Sequence, residues 1–299
     1  MASLLPFSGL CAFPVTPTDS QGRVNTEILS RLLEALCAAG VDSIGLLGST
    51  GIYAYLSRDE RRRAVEAAVD CIGGRMPLMV GIGALRTDQA QDLARDAEGA
   101  GADALLMAPV SYTPLTQEEA YEHYRAVVGV AGLPLCIYNN PSTTHFSFSI
   151  DLLERLSSVP RIRAVKMPLA AKGDLLSEIA MLRGRTLLAI GYSGDWGMAD
   201  AFLAGADAFY SVLGGLMPSP VMALARAAQE GDVDRVRAID AELKPLWETF
   251  KSFGSLRVMY VLLDLLGFGK LEPPRPILPL EGHPRDQVLG AAEPLLKSV

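Results

Sequence analysis

Histidine and cysteine are scarce in this chain, and their placement argues against a metal site or a disulfide framework. Only 3 histidines occur among 299 residues, and they show no ligand-like spacing, so a zinc site is not expected. The 4 cysteines lie far apart in apolar stretches, a pattern typical of buried free thiols in a reducing compartment. We therefore expect a cytoplasmic protein that needs no metal and no cofactor. The residues concerned are His123, His145, His283, Cys11, Cys37, Cys71 and Cys136.

An excess of basic residues and long apolar runs are also absent. The net charge is −7 and the pI is near 5.1, so electrostatics give no reason to expect a nucleic acid partner. No stretch reaches the roughly 18 apolar residues of a membrane span. The most apolar late segment, 258–268, is interrupted by Asp264. The first residues lack a basic segment followed by a long apolar one, so we expect neither a signal peptide nor a membrane partner.

What the chain does contain is an alternation of short apolar runs with amphipathic helical patterns. With 49% hydrophobic and 20% charged residues, it has the composition of a globular protein. Eight strands that alternate with helices predict a parallel sheet, and eight such units in about 215 residues fit a (β/α)8 TIM barrel of the α/β class. The predicted strands are 10–16, 41–47, 76–81, 104–107, 135–138, 163–166, 186–190 and 208–212.

The pattern changes after Pro218 and Pro220, where only helical periodicity remains. Helices are predicted over 221–230, 233–250, 256–266 and 287–296. This tail is too long to be the eighth barrel helix alone. We therefore predict a barrel over residues 1–222, which carries the active site, and a small C-terminal helical extension over residues 223–299.

The segment 161–168 predicts a short buried strand that ends on a lysine. Pro160 and Pro168 bound it and leave room for one short strand, with Pro168 stopping further pairing. Most lysines at strand ends simply reach water, which is the ordinary structural interpretation of Lys166. In the functional interpretation, apolar neighbours disfavour the ammonium, and the free amine attacks a carbonyl.

Other polar residues fall at predicted strand ends, where functional residues of a barrel gather. They offer several hydroxyl groups and one lysine, but no carboxylate pair and no metal-binding cluster. The stretches are Thr16, 48–51, 109–112, 138–141, Lys166, 192–195 and Ser211.

Three of these motifs resemble one known family. The turn Gly48-Ser49-Thr50-Gly51, the segment Tyr138-Asn139-Asn140-Pro141 and the pair Val165-Lys166 are together similar to the dihydrodipicolinate synthase / N-acetylneuraminate lyase family of class I aldolases. Their order and spacing match, and the resemblance covers the whole chain, including the helical tail. Each motif alone is weak, whereas three in register at barrel strand ends are specific.

The resemblance implies a Schiff-base lyase that cleaves or forms carbon–carbon or carbon–oxygen bonds. Lys166 is expected to form an imine with the keto carbon of pyruvate or of a longer 2-oxo acid. Tyr138 is the implied proton shuttle, and Tyr112 is implied to complete the relay from a neighbouring subunit. Ser49 and Thr50, through their hydroxyls and the backbone N–H groups of the turn, are expected to hold the substrate carboxylate.

The remaining implied contacts are backbone positions and one substituted residue. Gly48 belongs to the carboxylate-binding turn, and Gly194 and Tyr210 match backbone contacts near the lysine. Thr143 stands where the family's synthases have an arginine that grips the carboxylate of aspartate semialdehyde. A threonine cannot make that bidentate, charge-assisted pair.

A second departure follows the 48–51 turn, where Ile52 and Tyr53 replace the usual glutamate. Together the two departures predict a second-substrate pocket that is less cationic and more aromatic, with Tyr53, Tyr55 and His145 as its candidate walls. A catabolic aldolase or dehydratase is therefore favoured over a synthase of lysine biosynthesis. Suitable substrates are a sugar acid, a hydroxyproline-derived keto acid or an aromatic aldehyde adduct.

Several alternatives stay open on sequence alone. Ser49 and Thr50 could cap a helix, and Tyr138 could be a core tyrosine. The protein could be a dihydrodipicolinate synthase proper, which joins pyruvate to aspartate semialdehyde, or a barrel that binds a 2-oxo acid without turnover. A metal-dependent class II aldolase lacks the ligands that it needs. The resemblance also implies a homotetramer built as a dimer of dimers.

Overall fold

Eight short parallel strands close into a barrel in the computed structural model, which describes residues 6–169 and 174–296. Each strand pairs with its neighbours in chain order, and the first strand pairs with the eighth to complete the ring. The predicted TIM barrel is therefore confirmed. The strands are β1 Gly9–Ala12, β2 Ser43–Leu46, β3 Leu78–Gly81, β4 Ala104–Met107, β5 Leu135–Tyr138, β6 Ile162–Pro168, β7 Ala189–Ser193 and β8 Ala208–Ser211.

Helices surround the barrel and continue beyond it at the C-terminal end. The three helices that follow α9 form the predicted helical extension. No helix in the described ranges combines the length and apolarity needed to cross a membrane. The helices are α1 Thr26–Ala39, α2 Arg58–Ile72, α3 Thr87–Ala100, α4 Gln117–Val128, α5 Pro141–Thr144, α6 Ile150–Ser157, α7 Leu175–Arg185, α8 Met198–Leu203, α9 Pro218–Glu230, α10 Val233–Phe253, α11 Ser255–Leu265 and α12 His283–Leu296.

Local capping fixes where several of these helices begin. The Asn25 side chain accepts a hydrogen bond from the backbone N–H of Ile28 at the start of α1. The Ser57 hydroxyl does the same for Glu60 at the start of α2, and Thr116 and Glu119 form a reciprocal capping box at α4. Each cap satisfies backbone donors that would otherwise lack partners, so the sequence signals and the helix starts agree.

The hydrophobic core has two layers, because side chains alternate between the two faces of each strand. The outward layer packs between the sheet and the helices and continues into α10, α11 and α12. The inward layer fills the barrel with small side chains and a few rings, including Ala104, Ala164, Ala208, Phe13 and Tyr210. Small residues leave room at the upper end of the barrel, where Lys166 lies.

Several predicted strand limits are wrong: β1, for example, ends at Ala12 and not at residue 16, and two further differences lie next to Lys166. The seventh strand runs from Ala189 to Ser193 and not over the predicted 186–190, because Thr186 ends α7 with its N–H bonded to the Leu182 carbonyl at 2.8 Å. Pro168 was expected to stop pairing, yet it is the last residue of β6 and lies in register with Ser193. A proline at the end of a strand lacks only one donor, so the ladder tolerates it there.

Candidate active site

Lys166 lies inside the barrel near its C-terminal end and is only 5% exposed. It is an inward-facing residue of β6, in register with Tyr138 on β5 and with Gly191 on β7. A Cβ on Gly191 would lie 2.4 Å from the Tyr210 ring, so only glycine leaves space for that ring at this position. Lys166 is thus placed by strand register rather than by a flexible loop.

Three aromatic rings surround the Lys166 amine, and we call them the aromatic cage. The Nζ atom lies 4.0 Å from the centroid of the Tyr138 ring, 5.4 Å from that of Phe13 and 5.7 Å from that of Tyr210. Ring faces attract cations, so the cage favours a positively charged nitrogen while the surrounding rings exclude water. Phe13 was not predicted as a site residue. Its ring fills space above Gly48, where a Cβ would lie 2.6 Å away.

Tyr138 belongs to a hydrogen-bonded group beside the lysine. Its hydroxyl lies 3.3 Å from the Ser49 hydroxyl, and the Asn140 side-chain amide donates to it at 3.0 Å. With one lone pair of the phenol oxygen occupied by Asn140, the contact with Ser49 provides a path for a proton. The structure therefore brings together Lys166, Tyr138 and Ser49, as the sequence predicted, and adds Asn140.

Above the lysine opens a cleft of about 950 Å³. Among the predicted residues, Ser49, Thr50, Tyr138, Thr143 and Gly194 line it. Thr143 is exposed at the cleft, and its hydroxyl donates to the Asn140 carbonyl at 3.3 Å. Gly194 has a φ of 107°, a left-handed backbone conformation that favours glycine.

Other predicted residues lie away from the cleft surface. Gly48 is buried beneath the Phe13 ring, and Tyr210 lies under the lysine with its hydroxyl 3.5 Å from the Cys136 thiol. Tyr112 is 96% exposed, and His145 is an exposed residue outside the cleft lining.

Tyr53 and Tyr55, two of the predicted aromatic walls, line the cleft. Burial raises the pKa of Tyr53 to about 12.

A buried carboxylate, Asp195, lines the cleft beside the lysine and is 1% exposed. It accepts hydrogen bonds from the Ser211 hydroxyl and, at 3.1 Å each, from the backbone N–H groups of Val212 and Leu213. Burial raises the pKa of Asp195, although these three donors oppose the shift. Asp195 ties the end of β7 to the end of β8. The sequence signal for Asp195 is its place in the stretch 192–195 at a predicted strand end, which assigns it no role.

The charged groups of the cleft limit the chemistry that the site can perform. In the described part of the chain, Lys166 and Asp195 are the two charged residues among those lining the cleft. On sequence alone, Arg86 and Lys172 are cations that could compensate for the arginine missing at Thr143. Arg86 lies outside the cleft lining and pairs with Asp88 at 2.7 Å. The other candidate, Lys172, lies outside the described residues. No group of three or more metal-ligating side chains occurs in the described ranges.

Comparison with known proteins gives one consistent result. The model of the dihydrodipicolinate synthetase family matches residues 6–293. The chain is 36% identical over 265 residues to the 4-hydroxy-tetrahydrodipicolinate synthase of Corynebacterium aurimucosum, covering 88% of this chain and 86% of that protein.

Solved structures agree with this result. A dihydrodipicolinate synthase from Agrobacterium tumefaciens superposes with a TM-score of 0.95 at 58% identity, covering 97% of this chain and 98% of that one. A chloride-inhibited dihydrodipicolinate synthase from Acinetobacter baumannii, crystallised with pyruvate, superposes with a TM-score of 0.86 at 27% identity, covering 96% and 98% of the two chains. This chain therefore belongs to the dihydrodipicolinate synthetase family and is a Schiff-base-forming lyase of the class I aldolase type.

Proposed function

We propose that the protein cleaves or dehydrates a 2-oxo acid through an imine on Lys166 and that it is not an efficient synthase of the lysine pathway. The observation that carries this proposal is the buried Lys166 amine at the base of the cleft, beside the Tyr138–Ser49 hydroxyl pair. An amine held in a desolvated pocket next to a proton-transfer group is the arrangement that Schiff-base chemistry requires.

The chemistry follows from the positions of these groups. Lys166 Nζ attacks the keto carbon, and the carbinolamine loses water to give a protonated imine. The imine accepts the electron pair of the bond that breaks one carbon further along the substrate, which yields an enamine. Tyr138 takes and returns the protons through Ser49, and Ser49 and Thr50 orient the substrate carboxylate. Water then hydrolyses the imine and releases pyruvate or its analogue.

Trapping tests the assignment of the lysine. The protein is treated with pyruvate and borohydride, and the adduct is mapped by mass spectrometry. We expect one stable adduct, on Lys166, and we expect Lys166→Ala to lose both the adduct and turnover while keeping its circular dichroism spectrum. An adduct on Lys172 instead, or none at all, would remove the basis of the proposal.

Thr143 supports the second part of the proposal. An anionic electrophile that loses a charge-assisted pair loses roughly 1.5–3 kcal/mol, or about 10- to 150-fold in binding. We expect weak condensation of pyruvate with aspartate semialdehyde and a gain of that order in the Thr143→Arg variant. Lys172→Ala serves as the matched control, because this lysine is the remaining candidate cation. Robust condensation by the unchanged protein would contradict this prediction.

The second candidate function is a dihydrodipicolinate synthase proper. The observation in its favour is that the Agrobacterium protein, at 58% identity, and the curated relatives carry that name. The same condensation assay decides between the two functions. A barrel that binds a 2-oxo acid without turnover is disfavoured by the presence of both Lys166 and Tyr138.

The proposal includes a homotetramer, built as a dimer of dimers in a reducing, cytoplasmic compartment. Tyr112 is almost fully exposed, which is compatible with a role in the active site of a neighbouring subunit. All four cysteines are unpaired, which suits a reducing compartment. Light scattering coupled to size-exclusion chromatography measures the assembly. A protein that is monomeric at assay concentration and fully active would exclude Tyr112 from the relay.

A further inference from the structure

The cleft lining includes four large apolar side chains, which we call the apolar wall: Leu169, Trp196, Leu256 and Ile277. Leu169 directly follows β6, and Trp196 lies in the turn after β7. A Cβ on Gly194 would lie 3.1 Å from Leu169 Cδ1 and 3.3 Å from Trp196 Cζ2, so both side chains close over that glycine. The apolar wall therefore begins directly beside the ends of the strands that carry and flank Lys166.

Trp196 lines the cleft and keeps part of its aromatic surface exposed. It is 38% exposed, whereas Trp247 in α10 is 2% exposed. Tyr55, on another part of the cleft lining, is 46% exposed. Large aromatic side chains left open in a concave site are typical of binding surfaces for flat apolar groups.

The part of the cleft lining formed by Asn140 and α5 is polar rather than apolar. Asn140 is engaged with Tyr138, the Ser142 hydroxyl donates to the Asn140 side-chain oxygen at 2.8 Å, and the Thr143 hydroxyl donates to the Asn140 carbonyl. These groups are already hydrogen-bonded within α5 and its cap. In the described part of the cleft this side offers neutral hydroxyl oxygens to a ligand, but no cation.

We propose that the fragment released or captured at this cleft is an uncharged aryl aldehyde, whose ring lies against the apolar wall and stacks on Trp196. This inference rests on the proposed Schiff-base function of Lys166. The corresponding substrate class is the 4-aryl-4-hydroxy-2-oxobutanoates. Burial of an aromatic ring against the wall contributes to binding, whereas a carboxylate at the same place gains no ion pair from the described residues.

The reaction on such a substrate is balanced without an oxidant or a reductant. Lys166 condenses with the C2 carbonyl and releases water. The C3–C4 bond breaks, its electron pair moves into the imine to form the enamine, and the proton of the C4 hydroxyl passes to Tyr138. The aryl aldehyde leaves, C3 takes a proton, and water hydrolyses the imine to pyruvate.

Binding is measured first, because it is independent of turnover. The probe is 4-phenyl-2-oxobutanoate, which has the ring but no 4-hydroxyl group to cleave, and the reference is 2-oxopentanoate. The chain has two tryptophans, so Trp196→Phe and Trp247→Phe form a matched pair for fluorescence. We expect saturable quenching by the aryl probe that persists in Trp247→Phe and disappears in Trp196→Phe. The aryl probe should bind at least about 10-fold more tightly than the reference.

The same titration in Lys166→Ala separates the contribution of the apolar wall to binding from the contribution of the imine. Without the amine we expect both ligands to bind more weakly. The aryl probe should still bind more tightly than 2-oxopentanoate, because the apolar wall contacts its ring. If wild-type protein fails to trap any 2-oxo acid on Lys166, the proposed function fails. If trapping succeeds and the two ligands bind equally in both backgrounds, only the aryl proposal fails.

Turnover is then compared over three substrates, with pyruvate quantified by mass spectrometry. The substrates are 4-hydroxy-4-phenyl-2-oxobutanoate, 4-hydroxy-2-oxohexanoate and 4-hydroxy-2-oxoglutarate. We expect the highest kcat/KM for the aryl compound and a loss of about 10- to 100-fold for it alone in Trp196→Ala. Leu187→Ala, at an exposed residue outside the cleft lining, is the control and should leave all three values unchanged. A preference for the aliphatic or the anionic substrate, or an unchanged Trp196→Ala variant, overturns the proposal.

Discussion

At the scale of single residues, the site depends on how one amine is surrounded. Lys166 has aromatic rings around its nitrogen, and the nearby Asp195 carboxylate is occupied by three other donors. Ring faces attract cations, so these surroundings suit the cationic imine that we propose for this nitrogen. The rings around Lys166 and the fully bonded Asp195 thus leave the amine, among the described residues, without a carboxylate partner committed to it.

The hydroxyl of Tyr138 gives the first prediction. Tyr138→Phe removes the contacts with Ser49 and Asn140 but keeps the ring that lies 4.0 Å from Lys166 Nζ. We expect pyruvate trapping to survive while kcat falls by about 10²- to 10⁴-fold, the range for a lost general acid–base group. Borohydride trapping and steady-state kinetics measure the two effects separately. Wild-type turnover in this variant would make Tyr138 a packing residue only.

Phe13 gives the second prediction. Phe13→Leu keeps an apolar side chain but removes a ring face 5.4 Å from Lys166 Nζ. A cation–π contact contributes about 0.5–2 kcal/mol, so we expect the equilibrium constant for imine formation with pyruvate to fall about 2- to 30-fold. The control is Phe209→Leu, which removes a buried ring from the outward layer of the core. Equal effects of the two substitutions would show that Phe13 acts through packing alone.

At the scale of elements, the end of β8 is held by a carboxylate from the turn after β7. Asp195 accepts from Ser211, Val212 and Leu213, and Asp195 and Val212 both line the cleft. Because the bonds are buried, their loss is costly. Asp195 thus couples two adjacent βα turns next to Lys166.

The third prediction concerns this link. Asp195→Asn leaves one carbonyl oxygen for three donors, so we expect a loss of about 1–3 kcal/mol in the free energy of unfolding, measured by urea titration. Burial raises the pKa of Asp195 in the folded state, so its contribution is fully present below its unfolded value near 3.8 and is lost as the pH rises through the folded value. That pH-dependent loss should be absent from the variant. An identical pH profile in both proteins would assign the slope to other groups.

The number and order of the strands could be predicted, because buried parallel strands are short apolar runs in the sequence. The ends of these strands in turn indicate where the site lies. Lys166, Tyr138 and Ser49 are predicted as site residues in this way, and the structure brings them close together. The limits of β7 and β6 were not, because they depend on which neighbour supplies backbone partners to Ser193 and Pro168. Phe13, Asp195 and Trp196 act through contacts between distant segments, for which a single sequence carries no local signal.

At the scale of the whole molecule, the helical extension shares the core of the barrel. Trp247 and Phe250 of α10 and Leu262 of α11 belong to the same continuous cluster as the outward residues of the strands. Leu256 and Ile277 bring the extension to the cleft. The predicted division after residue 222 falls within α9, and it stays a prediction.

The fourth prediction tests how far the barrel depends on the extension. A chain that ends at residue 230 keeps α9 but exposes the apolar surface that α10 and α11 cover. We expect this truncated protein to aggregate or to lose its cooperative thermal transition, because a large part of a continuous core is removed. Differential scanning calorimetry beside the full chain measures this. A sharp transition at the wild-type temperature would establish the barrel as an autonomous unit.

The cleft is assembled from segments that differ in how freely they can vary. Lys166 and Tyr138 are fixed by strand register, whereas the apolar wall comes from the turns after β6 and β7, from the first turn of α11 and from the stretch between α11 and α12. The residues proposed to determine substrate selectivity are thus on different segments from those proposed to carry out the reaction. We therefore expect related barrels to differ in the aldehyde that they accept through substitutions in a few connecting residues, while β5 and β6 stay unchanged. Transplanting residues 266–282, which connect α11 to α12, between family members therefore tests whether this connection alters carbon–carbon bond specificity.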